Sequence, residues 1–159
     1  MQQRQLGPDG PLVGAIGLGT GPFTIPKDRP LIGEVTRLLA RAAELGVTLW
    51  DTADAYCWDD SEVGYGERLC QTACAALPRD LRERIVIATK GGTIRPGGRW
   101  ESDGSPEHLK DAIEASLKAL ETDCIDLWQL HAPDEEVLFA DSIVPLPTRG
   151  SKAKSVMWV

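Results

Sequence analysis

The chain has 159 residues, 42% of them apolar and 26% charged, so it can bury the core of one domain and is not disordered throughout. Its net charge of −7, with lysines and arginines scattered along the chain, argues against nucleic-acid binding, which needs a clustered basic face. No apolar run reaches the roughly 18 residues of a membrane span, and the first residues lack the apolar stretch of a signal peptide. We therefore expect a cytoplasmic protein that binds neither nucleic acid nor membrane.

The first segment predicts a small β-hairpin over residues 1–13, because the turn-forming residues of Leu6-Gly-Pro-Asp-Gly-Pro-Leu12 separate two short apolar pieces. From Val13 to Gly21 the pattern predicts a short buried strand that runs into a glycine-rich exit. Gly17 and Gly19 fit the first two positions of a dinucleotide-binding fingerprint, but Pro22 occupies the third. By itself this match is weak, and glycines that only permit a tight strand-to-loop turn are the favoured explanation of the segment.

Two helices and a strand are predicted next. Apolar residues at helical spacing predict a helix from Leu31 to Leu45, with Gly46 as its C-terminal stop. Val47 to Trp50 is the second predicted strand. Ser61 and Glu62 are expected to open a second helix, which Pro78 ends.

The pattern then repeats. Residues 79–84 are a charged connector, and the β-branched run Ile85–Thr89 predicts a strand covered on both faces. Gly91 to Gly104 is interpreted as a flexible surface loop, with part of a pocket as the alternative because it holds Arg95, Arg99 and Trp100. A capping serine and proline at Ser105-Pro106 begin the third long helix, in which His108 has a solvated or capping role, and Ile125–Leu130 is the fourth strand.

The alternation of strands and helices predicts a parallel sheet with right-handed crossovers, in one domain of the α/β class. Beyond Ala132 the pattern decays, because Pro145 and Pro147 would break a helix that begins at Asp134. A fifth strand is expected within residues 152–159. An α/β sheet of four or five strands leaves an open edge, which can pair with another chain.

Three of the predicted strands end in side chains that suit catalysis. Asp51 ends the second strand and Tyr56 follows five residues later, while Lys90 and His131 follow the third and fourth strands. Parallel α/β folds place their chemistry at the carboxyl ends of the strands, so we expect these four side chains to converge at one rim of the sheet.

The motifs resemble those of the aldo-keto reductases, in order and spacing, over about residues 4–140. They are Gly17-Leu-Gly-Thr20, Asp51-Thr-Ala-Asp-Ala-Tyr56, Ser61-Glu62, Ala88-Thr-Lys-Gly91, Ser105-Pro-Glu107, Ser116-Leu117 and Asp126-Leu-Trp-Gln-Leu-His131. The resemblance implies a partial (β/α)8 TIM barrel, comprising about strands 1–4 with their helices and preceded by the short hairpin. Residues 1–140 would be the N-terminal half of this barrel and residues 141–159 a divergent or irregular tail. The chain then looks truncated after the fourth strand, since the fold needs about 250 residues.

The resemblance also implies an activity, the reduction of aldehydes or ketones with NADP(H). It places the family's catalytic tetrad on Asp51, Tyr56, Lys90 and His131, and its nicotinamide-side contacts on Gly19, Thr20 and Gly21, with Asp51. In such a site the phenol gives a proton to the carbonyl oxygen that receives charge. An ammonium stabilises the phenolate left behind, a carboxylate balances the ammonium, and an imidazole orients the small-molecule carbonyl substrate.

Two alternatives stay open at this point. The first is a catalytically inactive or regulatory fragment of the scaffold, which associates with another half-barrel through its open sheet edge. The second is a metal-dependent barrel hydrolase. With only two histidines and no zinc-type spacing among the four cysteines, the chain is poorly supplied for a metal, and none is predicted.

Overall fold

A computed structural model describes residues 1–8, 10–143 and 156–158 of the chain, the last three by their backbone. Antiparallel strands β1 (Gln3–Gln5) and β2 (Leu12–Gly14) form the predicted hairpin. The backbone N–H of Gly14 donates to Thr48 Oγ1 at 2.9 Å, just before a central strand begins. The hairpin therefore lies against the amino ends of the sheet, away from the rim where the site is expected.

The remaining elements alternate along the chain. They are β3 (Gly17–Gly19), α1 (Gly21–Thr24), α2 (Ile32–Glu44), β4 (Leu49–Asp51), α3 (Tyr65–Ala75), α4 (Arg79–Arg82), β5 (Val86–Gly91), β6 (Thr93–Ile94), β7 (Glu101–Ser102), α5 (Pro106–Ala119), β8 (Leu127–Leu130), α6 (Phe139–Ile143) and β9 (Val156–Trp158).

The main sheet has five parallel strands in the order β3-β4-β5-β8-β9, so each strand lies beside the strand that precedes it in this sheet. Helix α2 packs on α3, and α3 packs on α5. Sequential strands with sequential helices are the arrangement of consecutive units in a (β/α)8 barrel. The predicted α/β fold, a partial barrel of strands 1–4 with their helices, is confirmed.

Two apolar clusters join the helices to the sheet. The first lies between α2, α3 and the strands around Trp50, and the second joins α5 to β8 around Trp128. Both indoles are fully buried, and Ile87 of β5 packs against both clusters. Helix α5 begins where its cap predicts, because Ser105 Oγ accepts the N–H of His108 at 3.3 Å and Pro106 occupies the first turn.

Several element boundaries differ from the prediction. Val13 belongs to the hairpin, and the buried strand predicted from it is instead the short, largely exposed edge strand β3. The second strand begins at Leu49, because the N–H of Val47 still donates to Ala42 O and closes the end of α2. The second long helix begins at Tyr65 instead of Ser61. Ser61 lies in a separate 3₁₀ turn, and Gly64 follows it at φ +80°, a conformation that cannot continue a right-handed helix. The charged connector contains the single turn α4.

The segment from Gly91 to Gly104 differs most. The interpretation as a flexible surface loop is wrong, since β6 and β7 pair as an antiparallel hairpin within it. Gly92 adopts φ +98° directly after β5, a conformation that favours glycine and turns the chain into the hairpin. Arg95, in the turn of this hairpin, is only 4% exposed.

The end of the chain is described only in part. The helix expected from Asp134 is limited to α6, and Pro145 and Pro147 lie outside the described residues. Of the predicted fifth strand, residues 156–158 form β9, parallel to β8, and the rest lies outside the described part. The tail predicted for residues 141–159 falls largely outside it as well. No helix in the described ranges has both the length and the apolarity to cross a membrane.

Candidate active site

The structure brings the four predicted residues to the carboxyl rim of the sheet. Asp51 is the last residue of β4, and Lys90 is the next-to-last residue of β5. Tyr56 lies in the loop after β4, and His131 directly follows β8, where its N–H donates to Gly91 O at 2.9 Å. They meet because the parallel register of the strands aligns the strand ends on which they lie.

Lys90 is the centre of this cluster. Its ammonium Nζ donates to Asp51 Oδ1 at 2.6 Å and to the carbonyl oxygen of Thr52 at 2.8 Å. It also lies 3.3 Å from the phenol oxygen of Tyr56. Lys90 is 9% exposed, so its charge is largely removed from water and is balanced chiefly by Asp51. The arrangement fixes an ammonium beside a phenol.

His131 contacts the phenol from another side. Its ring lies 5.5 Å from that of Tyr56 between centroids, with the planes at 75°. Burial, and then the positive charge of Lys90, lower the pKa of His131 from 6.5 to about 4, although Asp51 acts in the opposite direction. The imidazole is therefore neutral at neutral pH, with one ring N–H to donate and one nitrogen to accept. Its Nδ1 is buried without a partner among the described residues.

Two side chains of the β6–β7 hairpin border the cluster. The Trp100 ring lies 6.3 Å from the ring of His131 at an interplanar angle of 80°. The Arg95 guanidinium lies over Trp100 at 3.8 Å from the ring centroid. The sequence analysis placed both residues in a surface loop and gave part of a pocket only as the alternative. A short glycine-rich segment carries little signal that it will fold into a hairpin.

A second carboxylate of the same motif, Asp54, lies beneath the rim. Its N–H donates to Lys90 O at 3.1 Å, and its Oδ1 accepts the N–H of Ala55 at 2.6 Å. Burial, and then the charge of Glu67, raise the pKa of Asp54 well above 3.8. Glu67 is also fully buried and accepts the hydroxyl of Thr89 at 2.6 Å. Burial likewise raises the pKa of Glu67. Sequence reasoning did not single out this pair. Its only sequence signal is the position of Asp54 between Asp51 and Tyr56.

Gly19, Thr20 and Gly21 lie beside the cluster. Gly19 pairs with Asp51 in the sheet, and both the N–H and the hydroxyl of Thr20 donate to Asp51 O, at 2.9 and 3.1 Å. A Cβ at Gly19 would meet no atom within 4 Å, whereas one at Gly21 would lie 3.8 Å from the Tyr56 ring. The backbone thus approaches the phenol with open space at Gly19. This fits the nicotinamide end of a dinucleotide, which needs close backbone approach.

A thiolate nucleophile or a metal centre would give the site a different chemistry. The four cysteines are free thiols. Burial raises the pKa of Cys57 to about 11 and that of Cys70 to about 12, so neither is a thiolate at neutral pH. Within the described residues no three His, Cys, Asp or Glu side chains cluster closely enough to hold a metal.

Comparison with known proteins agrees with the geometry. The model of the aldo/keto reductase family matches residues 15–144. The chain is 39% identical over 133 residues to the 6-dehydroglucose reductase of Novosphingobium aromaticivorans. It is 34% identical over 133 residues to the uncharacterised oxidoreductase YqkF of Bacillus subtilis. Each match covers 82% of this chain but only 41% and 39% of the relatives, so the chain spans about two fifths of their length.

Solved structures give the same result. The chain superposes on the holo form of the aldo-keto reductase AKR11C1 from Bacillus halodurans with a TM-score of 0.78 and 27% identity. That match covers all of this chain and 51% of the other. A putative aldo-keto reductase from Pseudomonas aeruginosa has a TM-score of 0.77 and 31% identity, with coverage of 98% and 59%.

Proposed function

The chain belongs to the aldo/keto reductase family of oxidoreductases, and from this premise we propose that it reduces aldehyde or ketone carbonyls to alcohols with NADP(H). The observation that carries the proposal is the position of the Lys90 ammonium, 2.6 Å from Asp51 and 3.3 Å from the phenol oxygen of Tyr56. We assign residues 1–140 to the N-terminal half of the barrel, which carries these side chains. The family and the named reductases among its relatives support oxidoreductase chemistry in general.

The contacts of each member of the tetrad support the role that we propose for it. Tyr56 is the general acid, which gives its proton to the carbonyl oxygen. Lys90 stabilises the phenolate that remains, and Asp51 balances the lysine charge so that the ammonium is retained in a poorly hydrated position. His131, neutral at neutral pH, offers a ring N–H to the same oxygen and orients the carbonyl beside the phenol.

The cofactor end of the site is formed by Gly19, Thr20, Gly21 and Asp51. These residues would hold the nicotinamide end, and the chemistry that the cofactor supplies when bound is a hydride. Thr20 fixes the position of Asp51 through its two bonds to Asp51 O. The carboxylate that balances Lys90 therefore also borders the space where this end of the dinucleotide would lie.

The proposed substrate is a small carbonyl compound. The name of the Novosphingobium relative makes a sugar-derived aldehyde a natural first candidate, together with simple aldehydes. A cytoplasmic location is supported by the free thiols, because disulfides are rare in the reducing cytosol.

The test uses the purified chain, NADPH and a small aldehyde, and follows the loss of NADPH absorbance. Tyr56→Phe should abolish turnover while retaining NADPH binding, since only the transferable proton is removed. Tyr65→Phe is the matched control, because Tyr65 lies in α3 with Arg29 stacked 4.1 Å from its ring. A folded chain that neither binds nor oxidises NADPH would overturn the proposal.

A second candidate is a non-catalytic chain that associates through its open sheet edge. Strand β3 is an edge of the sheet, and large apolar side chains around it and α2 are exposed, including Ile16, Leu31, Ile32 and Leu45. Exposed edges and apolar patches favour pairing with another chain. Sedimentation velocity distinguishes the two functions: a stable dimer that does not respond to NADPH favours this candidate, and a monomer excludes it.

A further inference from the structure

Arg29 is a largely buried cation that joins three elements beside the candidate site. Its side chain is 12% exposed and lies in the segment between α1 and α2. Its Nη2 donates to both carboxylate oxygens of Glu62, at 2.7 and 2.6 Å. Its Nη1 donates to the carbonyl oxygen of Thr24 at 3.2 Å, and its guanidinium carbon lies 4.1 Å from the ring centroid of Tyr65. One side chain therefore connects α1, the 3₁₀ turn that contains Glu62, and α3.

Glu62 continues this connection to the loop that carries Tyr56. Its Oε2 also accepts the N–H of Trp58, two residues after Tyr56, at 3.3 Å. A carboxylate that binds both a guanidinium and a backbone N–H is held in one orientation. The carbonyl of Trp58 is held separately, because it accepts Arg95 Nη2 at 2.8 Å. The loop that presents the phenol is thus fastened at Trp58 from two directions.

The other end of the connection reaches Asp51. The hydroxyl of Thr24 donates to Thr20 O at 3.1 Å, and both the N–H and the hydroxyl of Thr20 donate to Asp51 O. Both threonines are fully buried. The series of bonds therefore begins at Asp51, the carboxylate that binds Lys90, and ends beside Tyr56, the phenol that Lys90 contacts. It closes a ring around the site, and the ion pair described above is the part of this ring that side chains alone supply.

The contacts of Arg29 require an arginine. Two different nitrogens of one planar group bind Thr24 O and Glu62 while the same plane covers the ring of Tyr65. A lysine ammonium is a single point of charge without a flat face, so it cannot make these three contacts together. If the ion pair served only the stability of the fold, its loss would lower the free energy of unfolding and leave the folded site unchanged.

We infer that Arg29 is a positioning residue, which through Glu62 fixes the Tyr56 phenol beside Lys90. It acts on the phenol only through Glu62 and the backbone of Trp58, and it transfers no proton itself. A small displacement of a catalytic group slows the chemical step strongly, whereas substrate binding depends on it less. Loss of Arg29 should therefore lower kcat and leave KM nearly unchanged. The inference rests on the proposed function and adds a residue to the same site.

The experiment measures NADPH-dependent reduction of propanal by wild type, Arg29→Met and Arg29→Lys. Arg29→Met removes the charge and both donors, so kcat should fall about tenfold, and not further because Arg95 still holds Trp58 O. KM for propanal should stay within about twofold of wild type. Arg29→Lys keeps the charge for Glu62 but not the other contacts, and should lower kcat about threefold.

Arg41→Met is the matched control. Arg41 forms an ion pair of the same length with Glu44, at 2.7 Å, but both side chains are exposed on α2. Its kcat should equal that of wild type, because an exposed pair within one helix holds no part of the rim. Wild-type kcat in Arg29→Met overturns the inference. A rise in KM without a fall in kcat overturns it as well, and so does an equal loss in Arg41→Met.

A structural readout separates this inference from the proposed function. The rings of Tyr56 and His131 lie edge to face with centroids 5.5 Å apart, so their protons should give a nuclear Overhauser effect. If wild type reduces no aldehyde, the proposed function fails, and this signal still decides the inference. A weaker signal in Arg29→Met than in wild type and Arg41→Met supports it, and an unchanged signal overturns it. If circular dichroism shows Arg29→Met to be unfolded, Arg29→Lys is judged by the same criteria.

Discussion

A carboxylate at the rim of the sheet and a carboxylate in the layer beneath it have opposite electrostatic surroundings. Asp51 and Asp54 are three residues apart in one loop-forming motif. Asp51 lies 2.6 Å from the Lys90 ammonium, which balances its charge. Asp54 turns inward beside Glu67, and burial raises its pKa. The difference shows that burial beside a second carboxylate raises the pKa of a carboxyl even where an N–H donor and a more distant cation, here Ala55 and Lys90, act in the opposite direction.

Removal of the central cation should produce the largest effect at the rim. Lys90→Met leaves Asp51 and Tyr56 without the ammonium, so we expect turnover to fall at least about 100-fold, as for the loss of a positioned acid–base group. Stability should fall by about 2 kcal/mol, between the values for surface and buried ion pairs, because Asp51 is one third exposed. Steady-state kinetics and urea unfolding measure the two effects. If Lys90→Met kept wild-type turnover, the ammonium at the rim would not be required for catalysis, and the prediction would be wrong.

Gly91, at the end of β5, lies where the rim of the sheet meets the layer beneath it. A Cβ there would lie 2.7 Å from Trp128 Cζ2, 3.0 Å from Ala112 Cβ and 3.4 Å from Asp54 Oδ2. Gly91→Ala should therefore destabilise the chain by about 2 kcal/mol through overpacking. Gly19→Ala is the matched control, since its Cβ enters open space: its free energy of unfolding should stay within about 0.5 kcal/mol, while NADPH binds more weakly. Equal destabilisation by both would contradict the geometry.

The interior carboxyl should limit stability as the pH rises. Native Asp54 keeps its proton at pH values where the unfolded chain, with a carboxyl pKa near 3.9, has released it. The native state then binds more protons, and stability falls as the pH increases. Asp54→Asn retains an oxygen for the Ala55 N–H and removes this titration, so its stability relative to wild type should increase from pH 4 upward. Urea unfolding across the pH range tests this, and a constant difference would show that Asp54 is ionised in the native state.

The smallest effect concerns His131, whose ring should titrate near pH 4. The unfolded chain takes up this proton near pH 6.5, so the contribution of the buried neutral ring is complete above 6.5 and is lost as the pH falls toward 4. Because the Lys90 charge lowers this pKa and Asp51 raises it, Lys90→Met should raise the pKa and Asp51→Asn should lower it. Proton NMR of the imidazole measures all three, and shifts of the same sign in both variants would contradict the assigned causes.

Much of the fold followed from local patterns. The helices α2 and α5 and the strands β5 and β8 were predicted within a few residues, because their apolar periodicity and the cap at Ser105 are local signals. The boundaries that were wrong depend on contacts outside the element, such as the bond from Val47 to Ala42 and the turn that Asp59 stabilises around Ser61. The pairing of β6 with β7 joins two short segments across a glycine-rich turn, and neither has a pattern of its own.

The sequence alone determined the alternation of strands and helices, and which strand ends carry an acid, a phenol, an amine and an imidazole. Only the tertiary structure decided that Asp54 turns inward beside Glu67, and that Arg95 is buried against Trp100 beside His131. The physical reason is that strand periodicity and caps act over a few residues. Ion pairing, burial and stacking are set by neighbours outside the same element, and for Asp51 and Lys90 these neighbours are 39 residues apart along the chain.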